Sequence, residues 1–215
     1  MIDLSREVLH AAIVSLIFGA TFGIAEFLRL RFTTPVEVTR KFVHLVGGLV
    51  SLSFGCLFAS HWTLLVLCVL FVALLHVTRS HGLLASVHKV DRVSGGALYH
   101  PMAIYGTFCA AQLLGRPEFY LISTMVLSVS DTIAALVGSA YGFKLYKVQE
   151  ERKSFEGSIM FFVSTFLIAH LGLLLLTPIG RFESVLCGIL IAMCVTLFEA
   201  ISLGGADNLF IPWGT

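Results

Sequence analysis

Long apolar runs alternate with short polar breaks along almost the whole chain, and each run approaches the ~20 residues that a helix needs to cross a hydrocarbon core. The pattern predicts seven spanning helices, at roughly 8–28, 42–60, 62–78, 97–114, 119–140, 158–177 and 184–203. The second and third are separated only by a tight break at Ser60-His61, and the fourth carries Pro101 near its start, where proline is tolerated. The expected fold is all-α, a polytopic membrane bundle of about seven helices forming a single domain over 1–215. No internal repeat or low-complexity tract divides it.

Composition agrees with the pattern. The chain is 57% hydrophobic and 13% charged, with mean hydropathy +0.93, too few charges to coat a soluble globule of this size. A net charge of +1 gives no electrostatic case for nucleic acid as a partner. Cys56, Cys68, Cys109, Cys187 and Cys194 stand singly in apolar segments and read as packing residues. The first apolar run lacks a basic leader and a small-residue cleavage site, so no cleavable signal is expected.

Charge adds an orientation. Eleven of the fourteen Lys and Arg residues fall in three alternate connections: Arg29, Arg31, Arg40 and Lys41; Arg79, Lys89 and Arg92; Lys144, Lys147, Arg152 and Lys153. Only Arg6, Arg116 and Arg181 remain for the opposite side, so the positive-inside rule places the amino terminus outside and the carboxyl terminus in the cytoplasm.

The unusual chemistry collects on that cytoplasmic side. Asp131 lies within an apolar helix, on a face with Ser128, Ala135 and Gly138. An ionisable group at membrane depth is expensive, so it reads either as a metal ligand or general base or as the anionic half of a pair that holds the bundle. Burial without a partner would raise its pKa, so Mg²⁺ or a lysine is expected beside it. Beyond it comes Lys153-Ser154-Phe155-Glu156-Gly157-Ser158, in which lysine suits phosphate and Gly157 lets backbone approach an anion. Ser158 is expected to cap the sixth helix, and Glu156 could ligate a metal. The plainer reading is a cationic loop before a helix, and the stretch lacks the P-loop spacing.

Two further clusters share the side. Arg40 and His44 stand at i, i+4, with Lys41 between them. Positive-inside flanking accounts for the two cations but not for a histidine inside a span. His76, His81, His88 and His100 have no tight metal-ligand spacing and mostly read as interfacial. Glu199 sits in the seventh apolar run, and Asp207-Asn208 follow a Gly-Gly turn, where the alternative is an exposed tail.

These clusters, in this order, resemble the integral-membrane family of CTP-dependent lipid-alcohol kinases, which includes dolichol, phytol and polyprenol kinases and a CTP-dependent diacylglycerol kinase. The matching stretches are Arg40-Lys41-Phe42-Val43-His44, Gly96-Ala97-Leu98-Tyr99-His100-Pro101, Ser130-Asp131-Thr132-Ile133-Ala134 with Gly138 and Tyr141-Gly142, Lys153 to Ser158, and Glu199 with Asp207-Asn208-Leu209-Phe210-Ile211-Pro212. The Lys-Ser-x-Glu-Gly-Ser stretch is the specific one. The resemblance implies γ-phosphate transfer from CTP to an isoprenoid or glyceride hydroxyl with Mg²⁺ or another divalent cation. It implies catalytic roles for Asp131 and Lys153, and nucleotide or phosphate contacts from Arg40, Lys41, Lys153, Ser154, Gly157, Ser158 and Asn208. Asp131, Glu156 and Asp207 become metal ligands, and His44, Tyr99, His100 and Glu199 a substrate mouth. Family members continue past the Asp-Asn-Leu-x-x-Pro stretch into another apolar segment, whereas this chain ends at Thr215. Either that span is dispensable or a neighbouring subunit covers the flank, so a homodimer is an open expectation.

Two other functions compete. A CTP-dependent phosphatidate cytidylyltransferase would use similar logic, but the acidic, glycine-rich carboxyl-terminal signature expected for it is absent. A proton-coupled transporter would also place acids and histidines in spans, but inverted repeats with paired broken helices are not seen.

Overall fold

The computed structural model describes residues 4–88, 95–148 and 151–215. Helix α1 (Leu4–Phe32) carries the first apolar run and ends just before Thr33, whose φ is +51°. Pro35 then disfavours helical geometry for Thr34 and serves as the cap residue of α2 (Val36–Ser51). Here the structure departs from the predicted second span. The helix starts six residues early and breaks after Ser51, before the single turn α3 (Phe54–Leu57). The hydroxyls of Ser51 and Ser53 turn back onto the Gly47 and Val50 carbonyls, and Tyr120 Oη donates to the Ser51 carbonyl at 2.6 Å. Side chains thus satisfy backbone that a continuous helix would have used.

Helix α4 (His61–Ser80) is capped by Ser60, whose Oγ accepts from the Trp62 N–H. The buried carboxylate of Glu7 accepts from the Ala59 and Ser60 N–H groups and from the Thr63 hydroxyl, tying α1 to this turn. The short α5 (Ala85–His88) precedes α6 (Gly96–Leu114), which ends at Gly115 in the left-handed conformation a Gly C-cap supplies. Lys89 and Arg92, counted above for orientation, lie outside the described residues.

Pro117 opens α7 (Pro117–Met125), which runs through a π-helical turn (Val126–Ser130) into α8 (Asp131–Tyr141). This rod is the centre of the bundle. Of its apolar stretch 56% is buried, against 22% to 28% for the other four helices long and apolar enough to cross a membrane, namely α1, α4, α9 and α10. The predicted polar loop after α8 is a hairpin, β1 (Leu145–Val148) paired antiparallel with β2 (Glu151–Ser154), and among the described residues every other regular element is helical. Helices α9 (Phe155–Leu176) and α10 (Arg181–Ile201) follow, and α11 (Asp207–Gly214) returns after Gly204 and Gly205, both at positive φ.

Among the described residues, five helices meet the length and hydropathy of a membrane span, fewer than the seven predicted. The other two sites are helical, but α2 has only 16 residues, and α6 carries Tyr99, His100, Pro101, Tyr105 and Gln112. The outward faces of the long helices are apolar, with Leu16, Leu70, Leu175 and Leu190 among the exposed side chains. The core between them packs Phe58, Leu64, Phe108, Leu127 and Phe161.

Helix α2 reaches the central rod through glycine. A Cβ on Gly48 would stand 1.6 Å from Ser128 Oγ, so only hydrogen fits there. Gly48→Ala is therefore expected to destabilise the detergent-solubilised protein by about 1–3 kcal/mol, the usual penalty of overpacking. Adding Ser128→Gly should recover part of the loss in thermal unfolding. An unchanged melting temperature in the single variant would contradict this packing.

Candidate active site

The π-helical turn delivers Asp131 to the interior. Such turns insert an extra residue into the helical ladder and recur at functional sites. Asp131 is 5% exposed. Its Oδ2 lies 2.5 Å from Lys41 Nζ and 3.3 Å from His44 Nε2, and that same histidine nitrogen lies 2.9 Å from the Leu127 carbonyl. A proton on Nε2 serves both acceptors. The cation expected beside the buried acid is thus Lys41, ninety residues away along the chain, and both partners are almost fully buried.

A second lysine–carboxylate pair stands nearby. Lys153, on β2, places Nζ 2.8 Å from Glu199 Oε1 and also donates to the Glu199 carbonyl, linking the hairpin to α10. Ser158 Oγ reaches Glu199 Oε2 at 3.5 Å and Tyr146 Oη at 2.8 Å. The helix cap is Ser154, whose Oγ accepts from the Gly157 N–H at 3.1 Å. Ser158 lies inside α9 instead, because the hairpin delivers the chain to the helix one turn earlier than the sequence predicts. Three glycines make this corner. A Cβ on Gly142 would meet the Gly138 carbonyl at 2.3 Å, and one on Gly157 would meet the Ala134 carbonyl at 2.9 Å.

Both ion pairs line one polar cleft of about 2380 Å³, mouth included, with Arg29, Glu37, Arg40, Arg152, Ser154, Gly157, Ser158 and Asp207. A separate, narrow and largely apolar pocket opens on the other side of α2, walled by Phe18, Phe22, Val43, Phe71, Leu75 and Leu98. Arg40 borders both cavities, while His44 borders the apolar one and touches Asp131. Asp131 therefore stands at the partition between a cationic cleft and a greasy pocket. His88, on the lining of that pocket, is held below the usual imidazole range by burial and by Arg79, so at neutral pH the charge there resides on the arginines.

Most of the predicted site residues converge, but four do not land as expected. Glu156 lies outside the cleft lining, its carboxylate accepting from the Lys144 N–H at 3.3 Å. Tyr99 lines neither cavity. Asn208, grouped with the nucleotide contacts, faces the apolar pocket beside His44 and His100, whereas Glu199, grouped with the substrate mouth, faces the polar cleft. Sequence reasoning missed Arg29 and Arg152 as cleft residues, although both were counted in the basic connections. It also missed the aromatic wall of the pocket. Phe18 and Phe22 stand at i, i+4, a spacing that any core-facing stripe shares.

Among known proteins, a curated phytol kinase from Synechocystis sp. is 31% identical over 197 residues, which is 92% of this chain and 84% of that protein. No protein-family model matches the chain, and no solved structure does.

The burial of the Lys41–Asp131 pair makes it sensitive to half-removal. Lys41→Met or Asp131→Asn alone leaves its partner buried without a counter-charge and should cost about 3–5 kcal/mol of stability. The double variant should lose much less than the sum. A thermal-unfolding double-mutant cycle with strictly additive losses would show that the two side chains do not interact.

Proposed function

Because the chain belongs to the lipid-alcohol kinase family of phytol kinase and is a phosphotransferase with an alcohol acceptor, we propose that it transfers the γ-phosphate of CTP to the primary hydroxyl of a phytol-type isoprenoid alcohol. The reaction takes place at the cytoplasmic face of a membrane that the chain crosses seven times as one domain, with its amino terminus outside. The observation that carries this reading is the position of Asp131, between a cleft lined by cations and a pocket lined by hydrocarbon.

Each cavity suits one substrate. A nucleoside triphosphate is multiply anionic, and Arg29, Arg40, Lys41, Arg152 and Lys153 border the polar cleft. All five come from connections that the positive-inside rule assigns to the cytoplasm. A lipid alcohol is a hydrocarbon with one polar end, and the pocket walled by Phe22, Phe71 and Leu75 matches its tail. The hydroxyl would meet the phosphate where the cavities approach each other, near Asp131 and His44.

The donor set of the cleft fits a magnesium ion. Asp131, Asp207 and Glu199 offer hard oxygen ligands, and no group of three or more metal-ligating side chains is preformed among the described residues. That suits an ion which keeps several waters and takes other ligands from substrate phosphate. Asp131 and Asp207 would hold it, and when bound it would neutralise charge on the phosphates. Lys41 orients Asp131 and balances its charge, and Lys153 does the same for Glu199. Phosphoryl transfer asks the protein mainly for positioning and charge stabilisation, which these pairs supply.

Purified protein in detergent with Mg²⁺, γ-³²P-labelled CTP and phytol should yield a labelled lipid. ATP, GTP and UTP, together with polyprenol, dolichol and diacylglycerol, define donor and acceptor. Asp131→Asn and Lys153→Ala should each lower turnover at least ~10³-fold, several kcal/mol of barrier, in protein that still purifies as a folded species. Chelation by EDTA should abolish transfer and added Mg²⁺ restore it. Normal turnover in either variant would remove that residue from the site, and absence of any labelled lipid with any donor would overturn the reading.

A further inference from the structure

The polar end of the apolar pocket holds two side chains that the phosphate chemistry leaves unused, Asn208 and His100. Asn208 is 4% exposed. Its Nδ2 donates to the Gly205 carbonyl at 3.2 Å and to Asp207 Oδ1 at 3.3 Å, so the amide cannot flip without facing oxygen to oxygen. Its Oδ1 is buried with no hydrogen-bond partner among the described residues. His100 is in the same condition twice over. Both ring nitrogens are buried and unpartnered among the described residues, and the ring packs edge-on against His44 at 4.7 Å between centroids.

Buried polar atoms are nearly always paired in native proteins, and a buried acceptor without a donor carries the full cost of its desolvation. The two side chains therefore call for a polar partner. Asn208 Oδ1 calls for a donor, and a neutral imidazole offers one donor and one acceptor. A hydroxyl supplies both functions from a single atom, and Phe22, Val43, Phe71 and Leu75 on the pocket wall suit a hydrocarbon beyond it, with Arg40 and Arg79 also bordering the pocket. Asn208 also follows directly on Asp207, which lines the polar cleft, so consecutive residues at the start of α11 face the two cavities.

We propose that Asn208 and His100 form the receptor for the hydroxyl of the acceptor alcohol: the hydroxyl donates to Asn208 Oδ1 and accepts from His100, with the tail against the aromatic wall. This rests on the kinase reading above and assigns Asn208 to the lipid and not to the nucleotide. It places the hydroxyl beside His44, and through it beside Asp131, and selects a long chain ending in one free hydroxyl.

Phytol and its methyl ether separate the proposal from its rivals, because the ether keeps the tail and the oxygen but lacks the O–H donor. Affinities are measured by thermal-shift titration of the purified protein without nucleotide, and CTP affinity is measured separately. The wild type should bind phytol ~10-fold more tightly than the ether, the worth of one buried hydrogen bond. Asn208→Ala should bring the two within twofold while leaving CTP affinity unchanged. Equal binding of alcohol and ether by the wild type would overturn the proposal, and so would an Asn208→Ala variant that loses CTP and keeps the discrimination. Should Asn208→Ala fail to fold, the wild-type comparison decides, with His100→Phe, which keeps the ring contact, as the second variant: it should weaken alcohol and ether by a similar factor and keep the discrimination, and unchanged binding of both would remove His100 from the receptor. A wild type that distinguishes the two lipids but never labels phytol from CTP sinks the kinase reading and leaves the hydroxyl receptor standing.

Discussion

A carboxylate placed deep in an apolar bundle must bring a counter-charge with it, and the pair made by Asp131 and Lys41 is the constraint around which the remaining structure is arranged. Desolvating each ion costs several kcal/mol, so the pair persists only where geometry is close and further polar groups surround it. The 2.5 Å contact and the flanking His44 meet that demand. To make them, α2 must lie against the central rod at the level of its π-helical turn. Gly48 permits this approach by leaving room for Ser128, and the break after Ser51 releases α2 from the rest of its apolar run.

A second set of glycines does equivalent work at the other wall of the cleft. Gly138, Gly142 and Gly157 let α8, the hairpin and the start of α9 close on one another around Ser154. Lys153 is thereby held at a short distance from Glu199 on α10. The motif residues thus divide into those that carry charge and those that remove bulk so that the charges can meet. Replacing either kind alters the same cleft, by different physics.

The partition between the two cavities is a consequence of helix geometry. Arg40 and His44 stand one turn apart on α2 and border the apolar pocket together, while Lys41, rotated about the helix, turns to Asp131 in the cleft. One short helix therefore separates a cleft lined by cations from a pocket lined largely by hydrocarbon. Keeping the apolar side dry also strengthens every charge interaction at the boundary.

The apolar runs by themselves determined where the helices lie, because burial in lipid or in a helical core imposes a local, repeating requirement that a sequence displays directly. They also marked Asp131 and Glu199 as exceptional, since an acid in such a run needs a reason. The hairpin was not legible, its strands being four residues each, and neither was the split second span, which depends on Tyr120 reaching the Ser51 carbonyl from another helix. Only the tertiary structure decided that Lys41 and not Lys153 neutralises Asp131, that Glu156 turns away to the Lys144 N–H, and that Asp207 and Asn208 serve different cavities. Those outcomes follow from long-range approach and helix rotation, which residue spacing along one segment does not encode.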